Sequence, residues 1–222
     1  LSAKCFSQAF WPFDSIFKNL KQTSAQDISY QYKIVIEDID EHVNIDSISG
    51  QLSFSKNRFV DSNNQFFMAR NEVEYCRLEH DTRKAIILSL NSLQDKLKTS
   101  IAKEPVPLLS VTEDFLQTEG NKIVFDVTNT KVNRVVLSTT SELLHKAIFE
   151  FRKSDNKLIA AYFEIDDIDT DIDKTYRTKY SMHHFSYKVN EQIFDLSRIF
   201  KYTDGKVSLS GKYASYKITK LI

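Results

Sequence analysis

From Tyr176 to Phe185 the side chains strictly alternate, with Tyr176, Thr178, Tyr180, Met182 and His184 set against Arg177, Lys179, Ser181, His183 and Phe185. A period of two is that of a pleated strand, whose successive side chains point to opposite faces. The same period recurs at Tyr30, Tyr32, Ile34 and Ile36, at Leu52 and Phe54, and at Ile123, Phe125 and Val127. Sixteen Phe and ten Tyr in 222 residues suit half-buried strands of this kind. Only four glycines accompany them, which leaves little material for phosphate-cradling loops or nucleophile elbows.

Turn chemistry divides the alternating stretches. A turn is expected at Ser49-Gly50, before Leu52 and Phe54. Segments 65–79 and 84–90 are expected to join as a hairpin across His80-Asp81-Thr82-Arg83, and 146–151 and 158–165 across Ser154-Asp155-Asn156. Strands 207–209 and 213–218 follow, around Gly205 and Gly211. Lys56-Asn57-Arg58-Phe59 reads as a solvated turn. Three stretches change to a helical period. Phe13, Ile16, Phe17 and Leu20 share one face of a short amphipathic helix after Pro12. Leu90, Leu93, Leu97 and Ile101 predict a helix over roughly 89–103, ended by Pro105 and Pro107. Ser110-Val111-Thr112-Glu113 forms a capping box for another that stops at Gly120.

About ten to twelve strands with so few helices indicate an α+β fold: a single curved antiparallel β-sheet with the helices packed on its concave face. Neither a 20–50-residue repeat nor a Pro/Ser-rich linker interrupts the chain, so residues 9–222 are expected to form one β-rich domain. Residues 1–8 are expected to be a signal-peptide remnant, because Cys5 and Ser7, or Ser7 and Ala9, supply the small residues of a signal-peptidase site. Lys4 before Cys5 argues against a lipid anchor there. Without Cys5, Cys76 would be a lone cysteine in a strand, expected to be a buried and inert thiol.

Thirty Lys+Arg balance thirty Asp+Glu, and that balance argues against a nucleic-acid partner. No apolar run approaches the ~20 residues of a transmembrane segment. The acidic stretch Asp166-Asp167-Ile168-Asp169-Thr170-Asp171-Ile172-Asp173 invites a calcium reading. Started at Asp167 or at Asp169, however, it lacks the glycine and the terminal glutamate of such a loop, and it reads as solvated acid closing a strand. His183 and His184 are expected on opposite faces of their strand, and His42, His80 and His145 lie far from them in sequence, so no metal site is expected. Neither G-x-S-x-G, G-x-x-x-x-G-K nor G-x-G-x-x-G occurs, so the chain is expected to be no enzyme and to use no cofactor.

The order of elements, from an exported leader through the helix at Phe13–Leu20, a run of strands, helices at mid-chain and a second run of strands, resembles the periplasmic outer-membrane lipoprotein carrier (LolA-like) superfamily, as a divergent member. The stretches Asp27–Leu90, with Ser49-Gly50-Gln51-Leu52, and Phe200–Leu221, ending in Tyr213-Ala214-Ser215-Tyr216-Lys217-Ile218, carry the likeness. The resemblance implies an unclosed half-barrel with helices as a lid over an apolar hollow, in the periplasm or cell envelope. It also implies a non-catalytic carrier or chaperone for a lipid or acylated protein. Such a hollow would be lined by Phe13, Ile16, Phe17 and Leu20 from the first helix, and by Tyr30, Tyr32, Leu52, Phe54 and Phe125 from the strands. The other reading uses the same scaffold as a structural or assembly component of an envelope machine, contacting an envelope protein partner.

Overall fold

The computed structural model describes residues 27–92, 122–126, 128–138, 144–169 and 174–220. Fourteen strands occur among them. The first six are β1 (Ile28–Asp38), β2 (Val43–Ser55), β3 (Arg58–Asn63), β4 (Phe66–Arg70), β5 (Glu74–Glu79) and β6 (Lys84–Ser89). Next come β7 (Lys122–Asp126), β8 (Val132–Ser138), β9 (Leu144–Arg152), β10 (Leu158–Asp169) and β11 (Lys174–Ser186). The last three are β12 (Phe200–Thr203), β13 (Lys206–Leu209) and β14 (Lys217–Lys220). Twelve of them belong to one unclosed sheet, in the order β14-β6-β5-β4-β3-β2-β1-β11-β10-β9-β8-β7, while β12 and β13 form a separate ribbon. The helix expected at Phe13–Leu20 and the one over 110–120 lie outside the described residues, as does most of 89–103. Leu90–Ser92 is a 3-10 helix. The described residues hold no α-helix, and their remaining helical turns are Glu191–Phe194, Leu196–Arg198 and Gly211–Tyr213.

Several boundaries differ from the sequence expectation. No turn occurs at Ser49-Gly50: β2 runs straight through, with Gly50 opposite Asn63, because ladder pairing to β3 outweighs the local turn preference. The stretch 65–79 is two strands, broken where the Asn71 side chain accepts the backbone N–H groups of Val73 (2.9 Å) and Glu74 (2.7 Å). The solvated turn expected at 56–59 is confined to Lys56-Asn57, and Arg58 and Phe59 begin β3. Asp166–Asp169 is strand rather than loop: its backbone pairs with 174–177, and Asp166 lies opposite Arg177, with which it forms an ion pair. Tyr213 ends a 3-10 turn entered through Gly211 at φ +58, and a strand resumes only at Lys217. That last strand runs parallel to β6, in a sheet that is mostly antiparallel.

The chain divides into two compact units. One comprises 30–47 and the described part of 106–185; the other comprises 27–29 with the described parts of 48–105 and 186–222.

In the first unit, register aligns side chains into rows across the strands. One row is Phe125, Val135, Phe149, Ala161 and Met182; the next is Ile123, Leu137, Ala147, Phe163 and Tyr180. Val135, Leu137, Phe149 and Phe163 are all buried, and the Phe149 and Phe163 rings meet edge to face at 5.5 Å. Neither row contains a charged side chain. The opposite face is charged: Arg134 grips Glu150 at 2.5 Å, Lys179 pairs with Glu37, and Arg177 reaches Asp166 at 2.8 Å. This unit therefore follows the rule of apolar side in, polar side out.

In the second unit both faces carry apolar side chains. The first face has the rows Ser53, Val60, Ala69, Cys76, Ile87 and Gln51, Ser62, Phe67, Leu78, Ala85. The C-terminal segment seals it, packing Leu196, Phe200 and Tyr213 against Ala69, Cys76, Leu78, Ala85 and Ile87. Arg58 pins that segment: its guanidinium meets Glu191 at 2.6 Å, donates to Ser55 at 3.1 Å and lies 4.7 Å over the Phe194 ring. At the far side His80 Nδ1 meets the Tyr216 hydroxyl at 3.0 Å and its ring stacks on Tyr213.

Candidate functional site

The second face of that unit differs in composition. Its rows are Leu52, Asp61, Met68, Arg77, Ile86 and Phe54, Phe59, Arg70, Tyr75, Leu88. The two-residue turn Lys56-Asn57, with Lys56 at φ +54, sets Phe54 opposite Phe59 and so fixes both rows. Leu52, Phe54, Phe59, Asp61 and Leu88 are buried, whereas Met68, Arg70, Tyr75, Arg77 and Ile86 are only partly so. Asp61 is 7% exposed, in line between Leu52 and Met68. The Arg77 guanidinium lies 5.6 Å over the Phe66 ring, and burial pushes the Tyr75 hydroxyl above its ordinary range. Charged groups set within aliphatic and aromatic rows make an amphiphilic surface. It can take hydrocarbon along Met68 and Ile86 and a polar or anionic group at the guanidiniums.

Leu52 and Phe54, both expected as ligand contacts, stand in neighbouring rows of this face. The other expected contacts fall elsewhere. Phe125 joins the charge-free row of the first unit. Tyr30, 2% exposed, packs 5.0 Å from Phe185, and Tyr32 is partly buried on β1. Phe13, Ile16, Phe17 and Leu20 lie outside the described residues. Sequence reasoning missed Phe59, Asp61, Met68, Arg70, Tyr75, Arg77, Ile86 and Leu88. The signal that leads to them is the Lys56-Asn57 turn, since fixing that one register names every later member of both rows.

Other constellations are structural. Asp166 takes a forked pair from Arg177, at 2.8 and 3.1 Å, and a further bond from His145. The Arg177 hydrogen bonds, opposed by burial, hold its carboxyl below the usual range. Both its oxygens are thus engaged in pairing β9, β10 and β11 side chains to one another. The Cys76 thiol is fully buried and pushed up to about 12 by burial, so it is no nucleophile. The rings of His183 and His184 meet at 4.8 Å instead of parting, because His184 adopts φ +56 and breaks the alternation. Among the described residues no group of three or more His, Cys, Asp or Glu could hold a metal ion. No helix among them is long and apolar enough to cross a membrane.

A large, unclosed, mostly antiparallel sheet with an amphiphilic face defines the class of this protein. No family model and no curated protein matches the chain. Among solved structures, it is similar to an uncharacterized conserved protein from Thermus thermophilus, at 8% identity and a TM-score of 0.39, over 95% of this chain and 99% of that one. It is similar also to a LolA superfamily protein from Nitrosomonas europaea, at 11% identity and 0.34, over 82% and 96% of the two chains. A third neighbour is a putative outer membrane lipoprotein-sorting protein domain from Vibrio parahaemolyticus, at 6% identity and 0.32, over 82% and 98%.

Proposed function

We propose that this chain is an exported protein of the periplasm or cell envelope that binds a lipid or an acylated protein on the second unit's amphiphilic face. It serves as a non-catalytic carrier or chaperone. The observation that supports this reading is the asymmetry of that unit. Its own C-terminal segment seals one face, while the other keeps Met68, Tyr75 and Ile86 partly exposed between arginines. Each CH₂ of an acyl chain laid on such a surface gains ~0.8 kcal/mol on leaving water. The guanidiniums suit the carbonyl or anionic end of the same ligand.

Native mass spectrometry of protein taken from its own envelope tests this reading, followed by uptake of a palmitoylated fluorescent peptide after delipidation. Bound lipid and saturable uptake are expected. Met68→Lys should abolish uptake, whereas Val124→Lys, on an exposed position of the first unit, should leave it intact. A wild-type protein that carries no lipid and takes up no probe would overturn the proposal.

A further inference from the structure

β7 ends the twelve-stranded sheet: β8 pairs with one of its edges, and no strand among the described residues pairs with the other. An unpaired strand edge is a template for a further strand unless charge, proline or a bulge blocks it. β7 reads Lys122-Ile123-Val124-Phe125-Asp126, with charges of opposite sign at its two ends. Lys122 is exposed and makes no ion pair among the described residues, and Val124 is 55% exposed. Asp126 accepts the backbone N–H (3.0 Å) and the hydroxyl (2.6 Å) of Thr128 on the same oxygen, Oδ1. Arg134, opposite Asp126 on β8, is taken by Glu150.

The charged face of this unit contains one apolar row, Val124, Val136, Ile148 and Tyr162, which runs out to the β7 edge. Val136 and Ile148 are partly buried, and Tyr162 is 39% exposed. The row of Asp126, Arg134 and Glu150 flanks it on one side, and that of Lys122, Ser138, Lys146 and Glu164 on the other. On its other face β7 carries Ile123 and Phe125, the ends of the two charge-free rows.

We propose that β7 is a self-association edge, pairing antiparallel with β7 of a second copy about a two-fold axis at Val124. In that register Lys122 of each copy stands opposite Asp126 of the other, so the ion pair forms twice. Val124 meets its own counterpart, and Ile123 stands opposite Phe125. The apolar row thereby continues into the second copy, and the charge-free rows join on the other face. A slip of one residue would bring the charged face of one copy to the side of the charge-free rows of the other. A slip of two would part Lys122 from Asp126. β14, at the other end of the sheet, lacks this self-complementarity, because a copy of itself would set Lys217 against Lys220. Five residues a side make a small interface, so the dimer is weak, with Kd about 10–100 μM. It belongs to the first unit and does not depend on the amphiphilic face of the second.

Sedimentation velocity of the full chain over roughly 1–500 μM tests the proposal, and a monomer–dimer equilibrium is expected. Lys122→Asp places like charges opposite each other at two points and should weaken the dimer about tenfold, as should Asp126→Lys. The double variant Lys122→Asp/Asp126→Lys restores opposite charges and should recover the wild-type affinity. Melting curves confirm that all three are folded. On mild oxidation Val124→Cys should form a disulfide joining position 124 of the two copies, mapped by peptide mass spectrometry, because directly opposite strand residues lie within disulfide reach. A wild type that stays monomeric, a dimer unchanged in both single variants, a double variant no tighter than the singles, or no 124–124 disulfide would each overturn the proposal.

Discussion

The inward face of the first unit and the second face of the second unit are built from the same kind of aligned rows, yet they differ in one respect. Rows through Phe149 and Phe163 hold no charge and are buried at their centre. Rows through Leu52 and Phe54 hold Asp61, Arg70 and Arg77, and are only partly buried at Met68, Arg70, Tyr75, Arg77 and Ile86. A charge-free row is what a core needs, since charge in a core costs several kcal/mol unless it is matched. On the proposed reading, the second unit's row serves a ligand that brings both hydrocarbon and polar groups to it.

The largest effect expected is at Phe149. Phe149→Ala should cost ~3–5 kcal/mol in denaturant unfolding, while Met68→Ala should cost distinctly less. Equal losses would make both faces ordinary core and remove the contrast. Next, Leu196→Ala should cost ~2–5 kcal/mol and expose the sealed face of the second unit, seen as faster amide exchange in β4 to β6. Without faster exchange there, the C-terminal segment is not the seal. A smaller effect, ~1–3 kcal/mol, is expected for Asp166→Asn in the charged face of the first unit. The Asp166 pKa is lowered by folding, so its contribution is complete above the ordinary carboxylate value near ~3.9 and is lost as pH falls through the lower folded value. Acid unfolding of the variant should therefore be shallower below about pH 4; an identical acid limb would assign the slope to other carboxylates. The smallest effect is at Cys76, which should resist iodoacetamide at pH 8 in the native protein, with the modification mapped by peptide mass spectrometry. Labelling at that position would show that the sealed face opens.

Strand content was readable because alternation is local: Tyr176 to Phe185 needs no partner to show its period. The hairpin at Ser154-Asp155-Asn156 was readable for the same reason, since Asn tolerates the φ of +54 that the turn requires. The errors came where a distant partner overrode a local preference. Ser49-Gly50 looks like a turn until β3 pairs with it, and Asp166–Asp169 looks like solvated loop until Arg177 and Lys174 stand opposite. The candidate face shows the same limit. Leu52 and Phe54 were readable as apolar and alternating, but nothing in the sequence set Asp61, Arg70 and Arg77 apart from its other charges.

By itself, the sequence determined that this chain is a many-stranded sheet protein, because a side-chain period of two admits little else. Only the tertiary structure decided which side chains share a face. A row crosses five strands, from Leu52 to Ile86, and its members are set by turn lengths that add along the chain. A one-residue change in any turn would have moved Arg77 and its neighbours to the opposite side.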